Sequence, residues 1–138
     1  MTAMTYGRQA NRYLGDSLAT ASPTALLVML YDRLLLDLRR AEQAQREQDR
    51  ETAHVNLVHA QAIVQELQAS LKVDAWEGGT GLMALYTWVL SELTAANVDC
   101  DAERTARCRV ETVEPLAEAW REAALVHLSG QAGQPGSA

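Results

Sequence analysis

The first long segment of the chain, from Ser22 to about residue 47, is apolar on every side over its first half. Placed about 100° apart on a helix, its apolar positions point in all directions. A helix that is apolar all round must be covered all round. Ser22-Pro23 marks its start, because a serine oxygen can cap free backbone N–H groups and proline needs no donor at the first helical position. The apolar positions are Leu26, Leu27, Val28, Met29, Leu30, Tyr31, Leu34, Leu35, Leu36 and Leu38.

Two further segments have the spacing of amphipathic helices. After a predicted reversal at residues 48–50, apolar positions recur at intervals of three and four over residues 51–71. A second stripe begins at Gly81, after a break at 76–79, and ends near Asn97, a residue that tolerates a left-handed helix stop. The first stripe is Leu57, Ala60, Val64, Leu67 and Leu71, and the second is Leu82, Leu85, Tyr86, Val89, Leu93 and Ala96.

A fourth helix is predicted to follow, with Asp99 or Asp101 as its cap. Pro115 lies inside it and removes one backbone donor, so we expect a kink or a break near residues 111–114. Four-and-three spacing suits packing in a helical bundle. The predicted inward face is Ala106, Val110, Val113, Ala117, Trp120, Ala124 and Leu128.

The two ends of the chain differ from the helices and from each other. At the start, Tyr6, Ala10, Tyr13 and Leu14 share one side of a short helix that Gly15 ends. The last ten residues are small, polar and rich in glycine, which predicts a disordered tail. We therefore divide the chain into a cap or lid segment at 1–21, a four-helix bundle at 22–128 and a tail at 129–138.

Size and charge restrict the partners. A chain of 138 residues fits one domain. Its net charge of −6, without a Lys/Arg cluster, makes nucleic acids and anionic membrane surfaces poor partners. No signal peptide and no transmembrane stretch is recognisable, so we expect a cytoplasmic protein.

Motifs for catalysis, metals or cofactors are incomplete. Glu51 and His54 have the Glu-x-x-His spacing of carboxylate-bridged metal bundles, but a single copy makes solvated surface residues the better interpretation. His59 is followed by Ala-Gln-Ala-Ile, which supplies no cation for a phosphorylated histidine. The glycines at 78–81 lack the lysine of a phosphate-binding loop and are interpreted as a turn. We predict no enzyme activity, cofactor or metal; a phosphorelay bundle using His54 or His59 is the enzyme-class alternative.

Cys100 and Cys108 lie eight residues apart. This spacing fits neither a zinc site nor a disulfide framework. Both are predicted to be reduced thiols.

The apolar surface of the first helix exceeds what a four-helix core hides, since each bundle helix buries about half its circumference. The N-terminal segment, with Tyr6, Tyr13 and Leu18, is tethered beside it and can act as a cover. A tethered cover has a high effective concentration, yet a partner that buries more area displaces it. Two alternatives stay open: a permanent five-helix core, and a homodimer that uses the same apolar surface in an assembly or regulatory role.

The stretch from Tyr13 to Asp32, YLGDSLATASPTALLVMLYD, resembles the N-terminal signature of the FliS family of flagellar export chaperones. The signature pairs a tyrosine with a TASP helix start and an MLYD run. Weaker similarity covers about residues 5–122 through HAQAIVQELQASL at 59–71, GG at 78–79, ALY at 84–86, AAN at 95–97 and AW at 119–120.

This resemblance implies an all-α protein, an antiparallel four-helix bundle with a short N-terminal cap helix. It also implies a non-catalytic chaperone that binds the C-terminal segment of flagellin in the cytosol. Masking that segment prevents premature polymerisation until the flagellar type III export apparatus takes the flagellin.

The resemblance also assigns residues to the site by matching positions. Thr20, Ala21, Ser22 and Pro23 build the cap and helix start, and Tyr13 belongs to the lid, to which Tyr6 and Leu18 are assigned above from their apolar side chains. The candidates for the groove or the adjoining core are Tyr31, Ile63, Val64, Leu67, Leu71 and Tyr86.

The sequence departs from the family pattern at three places. Arg33 stands where a glycine usually follows MLYD, Ser91-Glu92 replaces a basic pair on the third helix, and Pro115 is unexpected. Partner selectivity is therefore expected to differ from that of relatives.

Overall fold

The computed structural model of the protein describes residues 23–75 and 77–132, and every structural statement below refers to these. They form four helical rods and no strand, which confirms the all-α prediction. The first three rods are α1 (Pro23–Arg46), α2 (Arg50–Ser70) and α3 (Gly79–Asp99), with a 3₁₀ turn at Val73–Ala75 between α2 and α3. The fourth rod consists of α4 (Ala102–Cys108), a π-helical turn (Arg109–Val113) and α5 (Glu114–Ala132).

Ion pairs show how the first and last rods are oriented. Glu42, near the end of α1, contacts Arg109 in the π-helical turn, with 2.9 Å between Oε1 and Nη2. Asp32, near the start of α1, contacts Arg121 on α5 at 2.6 Å. The two rods therefore run in opposite directions.

Polar contacts between α2 and α3 have the same reversed order. His54 Nδ1 and Asn97 Nδ2 are 2.9 Å apart, and Gln68 donates to the Thr87 hydroxyl at 3.1 Å. Since α1 and α2 are joined by only three residues, the rods go up, down, up and down.

Two tight reversals use the same pair of devices. Gln48 and Cys100 are the non-glycine residues with positive φ, at 60° and 50°. After each, an aspartate caps the next helix: Asp49 accepts from the Thr52 N–H and Asp101 from the Arg104 N–H, both at 3.1 Å. Of the two predicted caps, Asp101 is therefore the one in place.

The predicted stop near Asn97 was two residues early. α3 runs to Asp99 and Cys100 takes the left-handed position, with its N–H directed at the carbonyls of Ala96 and Asn97. The Asp101 N–H also bonds the Ala96 carbonyl at 2.9 Å, a pattern that satisfies the free carbonyls of the last turn.

Two outcomes were predicted near Pro115, a kink or a break of the helix. The break does not occur, because the fourth rod continues through Pro115. The irregularity is the π-helical turn, in which the Glu114 N–H bonds the Arg109 carbonyl, five residues back. A wider turn of this kind adds one residue and rotates the following face. The consequence is visible in burial: Cys108 and Val113, five apart, are both buried.

This rotation corrects the predicted inward face. Before the π-helical turn the buried residues are Thr105 and Cys108, whereas Ala106 is only partly buried and Val110 is 49% exposed. Val113, the last residue of the turn, and Ala117, which follows it, are buried as predicted. Uniform helical spacing cannot anticipate a one-residue insertion, so the prediction failed upstream of it.

The predicted boundary of the tail at residue 129 also needs correction. The backbone of α5 stays helical to Ala132. Residues 129–132 therefore continue the helix, because each added residue contributes one more backbone hydrogen bond to an existing helix. Residues 133–138 lie outside the described part.

One apolar core joins all four rods. Among the described residues its buried members are Tyr31, Leu34, Leu35, Leu38, Ala41, Leu57, Ala60, Ile63, Val64, Leu67, Leu82, Tyr86, Val89, Leu93, Cys108, Val113 and Ala117. Leu27, Leu30, Leu71, Leu90, Leu116 and Trp120 pack against this core and stay partly exposed.

Candidate partner-binding site

An apolar cleft lies between the start of α1 and the end of α2. It has a volume of about 330 Å³ and is lined by Pro23, Leu26, Leu27, Leu30, Glu66 and Ser70. Residues 24–30 are all partly exposed, whereas Leu34, Leu35 and Leu38 further along α1 are buried. The helix that is apolar on every side therefore keeps part of its apolar surface open at its N-terminal end. We call this feature the α1/α2 cleft.

The opposite end of the bundle is closed by a buried polar network. Gln45 donates from Nε2 to the Ala96 carbonyl at 3.0 Å, and the Thr105 hydroxyl donates to Gln45 Oε1 at 2.7 Å. Gln45 and Thr105 are 1% and 0% exposed. Buried polar groups that are fully bonded tie three rods together and favour one packing arrangement. The cleft lies at the other end of the bundle from this network.

A pair of tyrosines lies in the core beside the cleft. The hydroxyls of Tyr31 on α1 and Tyr86 on α3 are 2.7 Å apart. Burial, and next the bond to Tyr86, raises the pKa of Tyr31 above its ordinary value, and burial also raises the pKa of Tyr86. Both hydroxyls therefore stay protonated at neutral pH and cross-link α1 and α3 as a structural contact.

The predicted groove residues are mostly core residues. Tyr31, Ile63, Val64, Leu67 and Tyr86 are between 1% and 7% exposed. Leu71 is partly exposed and packs against the core. None of the six lines the α1/α2 cleft, and of the six only Leu71 has substantial free surface.

The remaining predicted site residues divide into two groups. Pro23 is exposed at the start of α1 and lines the cleft. The other candidates for the cap and lid lie outside the described residues: Tyr6, Tyr13, Leu18, Thr20, Ala21 and Ser22.

Five of the six residues that line the cleft were not predicted as site residues. Leu26, Leu27 and Leu30 belonged to the surplus apolar surface but were not named as site residues. Glu66 and Ser70 were overlooked because they are polar and lie outside the apolar stripe of α2, one turn apart. Their i, i+4 spacing would have shown a shared face, but only the packing of α1 on α2 shows which face adjoins the leucines.

The structure adds a buried carboxylate that the apolar pattern of α1 concealed. Asp37 is 0% exposed; its Oδ2 contacts Nδ1 of His59 on α2. Its Oδ1 lies 3.2 Å from Arg33 Nε without a well-directed hydrogen bond, so that attraction is mainly Coulombic. Arg33, the departure from the family pattern, therefore compensates a buried charge. It also places near His59 the cation that the neighbouring sequence lacks.

The groups that sequence motifs singled out for chemistry have ordinary surroundings. His54 is exposed and bonds Asn97. No cluster of three or more ligating side chains that could hold a metal occurs within the described ranges. Burial raises the pKa of the Cys108 thiol to about 12, so it stays neutral and is a poor nucleophile.

A second cleft lies between α1 and α5 and has a volume of about 540 Å³. Its floor includes Leu35, Leu36 and Ala117, but its rim is charged. Arg121 contacts both Asp32 and Glu118, at 2.6 and 3.2 Å. Because these charges are already paired within the chain, this cleft is less suited than the α1/α2 cleft to an apolar partner.

Comparison with known proteins gives a consistent result over most of the chain. The sequence profile of the family described as "Flagellar protein FliS" matches residues 6–127. The chain belongs to the FliS family. The match includes all the residues that line the α1/α2 cleft and the four rods except the last turn of α5.

Two curated relatives within the FliS family are similar over most of their length. The flagellar secretion chaperone FliS of Bacillus subtilis (strain 168) is 33% identical over 111 residues, which cover 80% of this chain and 82% of the relative. The flagellar secretion chaperone FliS of Escherichia coli (strain K12) is 32% identical over 127 residues, covering 86% and 90%. The predicted family, and with it the chaperone class, is confirmed.

Membrane insertion finds no support in the described helices of this FliS-family chain. None of them combines the length and the apolar character that crossing a bilayer needs.

Proposed function

We propose that this protein binds the C-terminal segment of flagellin in the α1/α2 cleft, in the cytoplasm, without catalysing a reaction. Binding keeps the segment from polymerising and delivers it to the flagellar type III export apparatus. The proposal is supported by the membership of the FliS family and by the names of its curated relatives, which are secretion chaperones.

The single observation that carries the proposal is the open apolar surface at the start of α1. A cleft of about 330 Å³ with three leucines in its lining offers apolar area to another polypeptide. An amphipathic segment that fills such a groove gains free energy by removing that area from water. The N-terminal segment, with Tyr13, is proposed as the displaceable lid of the same cleft.

The test uses a variant that changes the cleft without disturbing the core. Leu26 lines the cleft and is absent from the residues that pack on the core. We expect Leu26→Asp to weaken the binding of flagellin, measured by calorimetry, at least tenfold, because one buried leucine contributes about 1.5–3 kcal/mol. C-terminally truncated flagellin should not bind the unaltered protein.

The matched control is Val98→Ser. Val98 is also apolar and is 72% exposed, but it lies at the closed end of the bundle. Its substitution should leave affinity unchanged. Equal affinity of Leu26→Asp and the unaltered protein for flagellin, or retention of binding by truncated flagellin, would contradict the proposal.

Light scattering with and without flagellin distinguishes the alternative in which two copies of this chain cover each other's apolar surface. A 1:1 complex formed from a monomer agrees with a chaperone. A stable dimer that excludes flagellin would favour the homodimer.

A further inference from the structure

One carboxylate lies at the apolar α1/α2 cleft. Glu66 on α2 is exposed and, among the described residues that line the cleft, is the one with an ionisable side chain. It forms no ion pair with any of the residues that the structure describes. The second cleft is different, because the carboxylates of its rim are paired with Arg39 and Arg121.

The segments of α1 and α2 that line the cleft contain no lysine or arginine. Between Arg50 and Lys72, α2 contains no lysine or arginine, and neither do residues 23–32 of α1. Arg33, the first cation on α1, is directed to Asp37. Within the described residues no ion pair therefore compensates the carboxylate of Glu66, and the net charge of the chain is already −6.

We propose that Glu66 is a specificity-determining residue that pairs with a lysine or arginine of the bound polypeptide. This inference rests on the proposed function, and it specifies the partner's chemistry. The segment that fills the cleft carries a basic side chain next to the apolar side chains that contact Leu26, Leu27 and Leu30.

The physical reason is the change in the surroundings of Glu66 when the cleft is filled. In water an exposed ion pair contributes little, because solvent screens it and two flexible side chains must be ordered. Apolar groups of a partner exclude water from one side of Glu66 and strengthen its attraction to a nearby cation. A partner without a cation instead desolvates the carboxylate with no compensation. The same residue therefore favours one class of segment and disfavours another.

The test measures binding of a recombinant C-terminal fragment of flagellin from the same organism, by calorimetry at two salt concentrations. Glu66→Gln keeps the shape of the side chain and removes its charge. We expect the Kd to rise about three- to tenfold at low salt, the range of an ion pair between exposed and buried. The loss of affinity between low and high salt should also become smaller.

The matched control is Glu51→Gln, which removes one carboxylate from the same helix. Glu51 is exposed, lies at the opposite end of α2 and forms no ion pair with the described residues. Its substitution should leave both the Kd and its salt dependence unchanged. A charge reversal, Glu66→Lys, should weaken binding further, and changing one lysine or arginine of the fragment to Glu should restore part of it.

Three results of the calorimetry would contradict the inference. An unchanged Kd in Glu66→Gln overturns the inference while the proposed function stands. A lower Kd also overturns it, and indicates that Glu66 holds the chain's own N-terminal segment, which contains Arg8 and Arg12. If the unaltered protein does not bind the fragment at all, the proposed function itself fails and this inference with it.

Discussion

At the scale of single residues, the least expected feature is a carboxylate in the core. Asp37 interrupts the apolar run of α1 and is 0% exposed. Two side chains contact it: Arg33 from the preceding turn of α1 and His59 from α2. The side chains of Arg33 and His59 are about half exposed. The contacts of Asp37 therefore extend from the buried interface between α1 and α2 to the protein surface.

We expect Asp37→Ala to lower the free energy of unfolding by about 1–3 kcal/mol, because it leaves a small cavity and deprives Arg33 and His59 of their shared partner. Urea unfolding measures this change. His54→Ala, which removes an exposed contact between α2 and α3, should stay within about 0.5 kcal/mol of the unaltered protein. Equal losses in the two variants would mean that Asp37 contributes no more than a surface contact.

A second residue-scale prediction concerns acid stability. Glu42 is buried enough for desolvation to raise its pKa, but Arg109 at 2.9 Å and Arg46 at 3.0 Å outweigh this and hold its pKa below the ordinary value. Its stabilising contribution is therefore present above the pKa of the unfolded chain and is lost as the pH falls through the lower, folded value.

We expect Glu42→Gln to destabilise the protein by about 1 kcal/mol at pH 7. The difference from the unaltered protein should shrink as the pH falls below about 4. Denaturant unfolding across pH measures it. The control is Glu111→Gln, which changes an exposed carboxylate of the fourth rod that has no ion pair among the described residues and should show no such pH dependence. If the difference in free energy of unfolding between Glu42→Gln and the unaltered protein stays constant with pH, the ion pairs of Glu42 are not the cause of its contribution.

At the scale of elements, the ends of the helices were predicted less well than their existence. α3 starts at Gly79, two residues before the predicted start. A Cβ at Gly79 would lie 2.2 Å from the carbonyl oxygen of Val73, so the 3₁₀ turn packs directly on the backbone of the first helical residue. This close approach is a tertiary contact, and it requires a residue without a side chain.

A pair of substitutions tests this reason. Gly79→Ala should destabilise the protein by about 1–3 kcal/mol, because backbone atoms must move to admit the methyl group. Gly81→Ala, two residues later, meets no atom within 4 Å and should stabilise the helix by about 0.5–1 kcal/mol. Thermal unfolding of both variants checks the opposite signs. A stabilising effect of Gly79→Ala would show that the turn does not pack as described.

The buried face of the fourth rod was also predicted only in part. Its apolar positions follow one helical period only if the helix is regular, and the π-helical turn shifts that period by one residue. The predicted face was therefore right at Val113 and Ala117 but wrong at Val110, and Thr105 and Cys108 were missed. Pro115, which follows the turn, signalled an irregularity without showing its kind.

At the scale of the whole molecule, the two ends of the bundle are built differently. The Gln45, Thr105 and Ala96 network and two aspartate caps close one end with satisfied polar groups. The other end has the apolar cleft, where Glu66 forms no ion pair with any residue in 23–75 or 77–132. We infer that the closed end supplies the stability that lets the open end keep apolar surface for a partner.

The sequence by itself determined the helical class, the number of rods and the family, because these depend on hydrophobic period, cap residues and a continuous signature. It also indicated that α1 has more apolar surface than one core can hide. Tertiary structure alone decided where that surface is buried and where it stays open. Tyr31 and Leu67 carry the same kind of apolar signal as Leu26, yet only Leu26 lines the cleft. The positions of Glu66 beside the leucines and of Arg33 and His59 around Asp37 depend on how α1 packs on α2, since pairing across helices leaves no period in a single sequence.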